Sequence, residues 1–65
     1  MWSQTQFELL YQALDRNKPE PMIKEIVVDL ARRGFPAEYL LARVRKKMGM
    51  VASNRLKLII RTSRA

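Results

Sequence analysis

Cysteine and histidine are both missing from this chain. Their absence excludes disulfide staples, zinc sites of the usual Cys/His kind and the commonest general base of enzymes. Glycine is scarce, at two residues, and no glycine-rich loop that could cradle a phosphate is present. Carboxylates never gather at metal-ligand spacing; Glu25 and Asp29 share a helix face at i+4, where two acids are ordinarily solvated surface. These gaps predict a chain that is not an enzyme, with no metal and no cofactor. No apolar run approaches the roughly 18 residues of a membrane span. The opening MWSQTQFELL lacks the charged leader and apolar core of a signal peptide, so a soluble cytoplasmic protein is expected.

Acid is also scarce, in one half of the chain only. Residues 1–31 carry three cations against five acids, a net charge of −2, whereas residues 32–65 carry ten Lys/Arg against Glu38 alone, a net charge of +9. A polarised charge distribution bears on partners and association kinetics rather than on fold.

What is present is helical patterning in a single 65-residue domain, near the lower size at which a chain buries enough apolar surface to fold alone. Ser3 and Gln6 have the spacing of a capping box, and Trp2 and Phe7 that of a hydrophobic staple. Phe7, Leu10, Tyr11 and Leu14 then recur at i, i+3, i+4, i+7, which predicts a helix over 4–16 that stops at Asn17 and Pro19. Pro21 opens a second helix, 21–33, with Ile23, Ile26, Val27, Leu30 and Ala31 as its buried stripe; Gly34 and Phe35 fit a Schellman ending. Pro36 opens a third, 36–48, buried along Ala37, Leu40, Leu41, Val44 and Met48 and closed by Gly49. The tail reads two ways. As a helix over 53–61, capped by Ser53 or Asn54, it gathers Leu56, Ile59 and Ile60; as a strand it alternates Leu56, Leu58 and Ile60 with Arg55 and Lys57. The expectation is an all-α bundle of three to four short helices, the last element helical or a strand, with a frayed C-terminus.

The second and third helices around Gly34 have the outline of a helix-turn-helix. That motif wants a small residue where Leu30 stands and apolar ones where Asp29, Arg33 and Arg43 stand, so the standard form is not supported. The unit LARRGFPAEYLLARV, residues 30–44, resembles the helix–Gly–Phe–helix repeats of the RecX regulators at generic packing positions, a resemblance that assigns no family.

The remaining signal is basic surface. Arg43, Arg45, Lys46 and Lys47 crowd the end of the third helix, where cations are favoured by the helix dipole whatever else they do. Arg43 is more informative, since it lies a turn inside the helix, four residues from Tyr39. Tyr39, Arg43, Lys46 and Lys47 share a flank that could neutralise backbone phosphates, Tyr39 stacking on an exposed base. A tyrosine there equally suits the edge of a core. With Arg32, Arg33, Arg55 and Lys57 these residues form the candidate nucleic-acid-binding set, with DNA preferred over RNA. The alternative is a protein-interaction adaptor or inhibitor with an acidic partner. Leu9, Met22, Val28, Met50 and Leu58 fall off the main stripes, a surplus that predicts a homodimer or another protein interface. An anionic membrane surface is disfavoured because the aromatics sit at the acidic end.

Overall fold

The computed structural model describes residues 4–63, and among them there are four helices and no strand. In chain order these are α1 (Gln4–Asp15), α2 (Glu20–Arg32), α3 (Ala37–Met48) and α4 (Met50–Ser63). The capping box and staple predicted on Trp2 and Ser3, and the frayed final residues, lie outside the described residues.

Each of the first three helices ends for a reason written in its sequence. At the end of α1, Asn17 takes φ 56°, the Asn17 N–H donates to the Leu14 carbonyl and the Lys18 N–H to the Ala13 carbonyl. That pair of bonds is a Schellman ending built on asparagine, which tolerates the left-handed region better than other side chains. The same pattern closes α2 on Gly34, φ 98°, with Gly34 N–H bonded to the Ala31 carbonyl and Phe35 N–H to the Leu30 carbonyl. Pro19 and Pro36 stand just before α2 and α3, their carbonyls accepting the first helical N–H groups. Gly49, φ 100°, closes α3 through a bond to the Arg45 carbonyl, and its own carbonyl accepts from Ser53 N–H in the first turn of α4. A single glycine thus ends one helix and starts the next.

The tail is corrected on two points. It is not a strand, and its helix starts at Met50 rather than at a Ser53 or Asn54 cap. The period explains the first: Leu56, Ile59 and partly buried Ile60 face inward, whereas Leu58, which a strand would have placed beside Leu56, is 61% exposed. A strand would also have needed a pairing partner, and none exists among the described residues. Ser53 is buried inside α4, where its hydroxyl donates to the Leu41 carbonyl of α3 at 3.4 Å.

The core is continuous across all four helices. Phe7, Leu10, Tyr11, Ala13 and Leu14 of α1 meet Ile23 and Leu30 of α2, Leu40 and Val44 of α3, and Leu56 and Ile59 of α4. Ile26, Val27, Phe35, Leu41 and Met48 fill in around them, while Ala31, expected in the α2 stripe, is exposed. Burying a Leu or Ile side chain contributes about 1.5–3 kcal/mol, so these positions dominate the stability of so short a chain. Leu9, Met22, Val28, Met50 and Leu58 all remain exposed, as their off-stripe positions predict. No helix among the described residues is long and apolar enough to cross a membrane.

Candidate anion and nucleic-acid interface

Arg43 is the centre of the candidate site. Its Nε donates to the Tyr11 hydroxyl at 3.2 Å and its Nη1 to the Tyr39 hydroxyl at 3.1 Å. Its guanidinium carbon lies 4.3 Å from the centroid of the Phe7 ring and 5.8 Å from that of Tyr39. The cation is therefore seated on an aromatic floor and fixed by two phenols from two helices. The hydrogen bonds that Arg43 donates to the Tyr39 and then the Tyr11 hydroxyl raise its pKa against the opposing effect of burial.

The rings of the aromatic floor pack on one another. Phe35, folded back by the Gly34 turn, stacks on Tyr39 at 5.5 Å with an interplanar angle of 25° and meets Phe7 edge-on at 5.1 Å. Phe7 also meets Tyr39 at 72° and 6.1 Å. Tyr39 is thus both things the sequence allows, a ring at the edge of the core and a side chain 41% open to solvent.

Lys46 and Lys47 follow Arg43 at i+3 and i+4, one turn further along the same flank. Lys47 Nζ stands 5.9 Å from the Tyr11 ring centroid. Together Tyr11, Tyr39, Arg43, Lys46 and Lys47 line an open depression of about 550 Å³ that contains no acidic side chain. None of the three cations is paired with a carboxylate among the described residues. Arg45, two residues from both Arg43 and Lys47, turns to another side of α3 by the 100° step of the helix.

The other predicted cations go elsewhere. Arg33 pairs with Asp29 at 3.0 Å, and Asp29 also accepts a hydrogen bond from the Gln6 amide. That bond, and then the neighbouring Arg33 charge, hold the Asp29 carboxyl below its ordinary pKa. Arg32 lines a separate depression with Lys24, Glu25, Val28 and Asp29, where acid and base are mixed. Arg55 turns its guanidinium onto the end of α1, donating to the Leu14 carbonyl at 3.4 Å and the Lys18 carbonyl at 3.1 Å. Lys57 is exposed on α4 and does not line the depression. Of the eight candidates, the structure brings together Tyr39, Arg43, Lys46 and Lys47.

Tyr11 is the residue that sequence reasoning missed, because its place in the α1 stripe explains it as core. A signal was available. Tyr11 is 8% exposed, and a phenol at a buried position needs a hydrogen-bond partner that phenylalanine would not. The Gln6 amide N–H also reaches Asp29 across the α1–α2 interface, a contact its spacing in the sequence does not signal. Comparison of the chain with protein-family models, with curated proteins and with solved structures finds no match in any of the three.

Proposed function

We propose that this protein is a small, non-catalytic nucleic-acid-binding regulator that contacts phosphate through Arg43, Lys46 and Lys47, with Tyr11 and Tyr39 framing the contact. One observation carries the reading: three unpaired cations and two phenols share one depression that holds no acid. Phosphate is the anion that nucleic acids present in every sequence, and Lys/Arg clusters bind it with release of counterions. Arg33 and Arg55, spent on Asp29 and on the end of α1, drop out of the contact set. The test is a salt titration of binding to duplex DNA and to single-stranded DNA and RNA. The logarithm of affinity should fall linearly with the logarithm of salt concentration, and the absence of binding at about 50 mM salt rejects the reading.

A second reading has its own observation. The outer face of α4 exposes Val51 (86%), Leu58 and Met50 beside Lys57 and Arg61, and the helix contains no acid. An adaptor that docks an acidic amphipathic segment would use this face rather than the depression. Capture of one acidic protein that survives high salt and is lost on Leu58→Asp would favour it. A homodimer would cover exposed apolar surface under either reading, and light scattering gives its mass directly.

A further inference from the structure

The depression is a point, not a track. A groove that follows a phosphate backbone needs cations spaced along it. Of the other candidate cations, Arg33 is held by Asp29 and Arg55 by the end of α1, and neither Arg32 nor Lys57 lines the depression. On one side the depression runs into a second, of about 240 Å³, with which it shares Tyr11 and Lys47; the rest of that lining is Gln12, Asp15 and Met48. The Asp15 carboxylate disfavours a phosphate lodged in that second depression, so what enters it is a nucleoside, with the next phosphate outside.

The donor chemistry is one-sided as well. Each phenol accepts from Arg43, which leaves its own O–H to donate. Arg43 Nη2 has no acceptor among the described residues, and Lys46 and Lys47 bring ammonium donors. Three positive charges and a set of donors around one spot match a group with three terminal oxygens and about two negative charges. That describes a phosphomonoester, whose charge near neutral pH is about −1.5 to −2. An internal diester has one charge and two terminal oxygens. The adjoining depression offers an aromatic edge, an amide and a carboxylate, groups that can bond the sugar hydroxyls and base of one nucleoside.

We infer that the Tyr11–Tyr39–Arg43–Lys46–Lys47 depression captures the terminal phosphomonoester of a nucleic-acid strand, with the terminal nucleoside against Gln12 and Asp15. The inference rests on the nucleic-acid reading above and narrows it from backbone contact to recognition of a strand end.

The experiment compares fluorescence anisotropy of a 3′-labelled single-stranded oligonucleotide bearing a 5′-phosphate with the same strand ending in 5′-hydroxyl, at fixed ionic strength. A labelled strand carrying its phosphate at the 3′ end is the parallel arm. Hydrogen bonds to a charged group imply that at least one terminal phosphate should tighten binding about tenfold. Tyr39→Phe should erase most of that advantage while keeping the ring. Lys46→Gln, a surface change that leaves the core alone, should reduce it too, with the thermal melt confirming the fold of each variant. Equal binding of phosphorylated and hydroxyl strands overturns the strand-end inference and leaves the nucleic-acid reading standing. No binding of any strand at low salt overturns both. Displacement by inorganic phosphate or a phosphoserine peptide as effective as by a 5′-mononucleotide also overturns the inference, since the nucleoside then contributes nothing.

Discussion

Arg55 donates to the Leu14 carbonyl in the last turn of α1 at 3.4 Å and to the Lys18 carbonyl just beyond it at 3.1 Å, so a cation of the fourth helix braces the end of the first. The carbonyls at a helix C-terminus carry partial negative charge and lack intrahelical donors, and a guanidinium satisfies both needs. Arg55→Ala should therefore lower stability by about 1 kcal/mol in urea titrations, while the affinity of the folded protein for oligonucleotides stays unchanged. A loss of affinity in proportion to that of Lys46→Gln would place Arg55 in the interface instead.

In binding, Lys46 and Lys47 should behave in the opposite way. Neither makes a hydrogen bond or ion pair among the described residues, so replacing either with glutamine should lower stability by no more than about 1 kcal/mol, the scale of the helix-end charge and of the Lys47 contact with the Tyr11 ring. Each replacement should flatten the salt dependence of binding, by about 0.7 in the slope of log affinity against log salt for a single strand. An unaltered slope in both variants would mean that these lysines contact no phosphate.

Asp29 predicts the direction of acid sensitivity. Its carboxyl is held below its ordinary pKa, first by the Gln6 amide and then by Arg33, so the folded state favours the ionised form more than the unfolded state does. The stabilisation is present above the unfolded-state value, about 3.9, and is lost as pH falls through the lower folded-state value. Asp29→Asn should reduce stability at neutral pH and make the stability curve flatter below about pH 4. Parallel acid titrations of the two proteins by circular dichroism check this; curves that fall in step would remove Asp29 from the account.

The left-handed helix endings make a paired prediction. At Gly34, φ 98°, an added Cβ meets nothing within 4 Å, so the cost of Gly34→Ala is backbone strain alone. That strain is about 1–2 kcal/mol. Asn17→Gly, at φ 56°, removes rather than adds strain and should change stability by only a few tenths of a kcal/mol, offset by the greater freedom of the unfolded chain. Urea midpoints for the two variants check both, and a neutral Gly34→Ala would show that the turn relaxes.

The first three helices are legible in the sequence because each carries its apolar period and its own stop: Asn17, Gly34 with Phe35, and Gly49. The tail is ambiguous for a physical reason. Leu56, Leu58, Ile59 and Ile60 satisfy a period of two as well as a period of 3.6, and only packing decides which leucine turns outward. The flank of Tyr39, Arg43, Lys46 and Lys47 is legible too, since spacings of three and four along one helix are local geometry. The rest of the site is not. Tyr11 joins Arg43 across 32 positions and Arg55 is withdrawn by the end of α1, contacts between elements that no local pattern encodes, whereas the Arg33–Asp29 pair is an i, i+4 spacing at the end of α2 that the sequence shows.

The two hydroxyls that hold Arg43 come from α1 and α3, and its seat on Phe7 comes from α1 again. The depression therefore has no counterpart in the unfolded chain, and occupancy is coupled to folding by mass action. A ligand present at a hundred times its dissociation constant would add about 2.7 kcal/mol to the stability of the folded form. For a chain of this length that is a large share of the whole, since net stability runs at about 0.05–0.15 kcal/mol per residue. The abundance of the protein in a cell would then follow the concentration of whatever fills the site, through the fraction of chains left open to proteolysis.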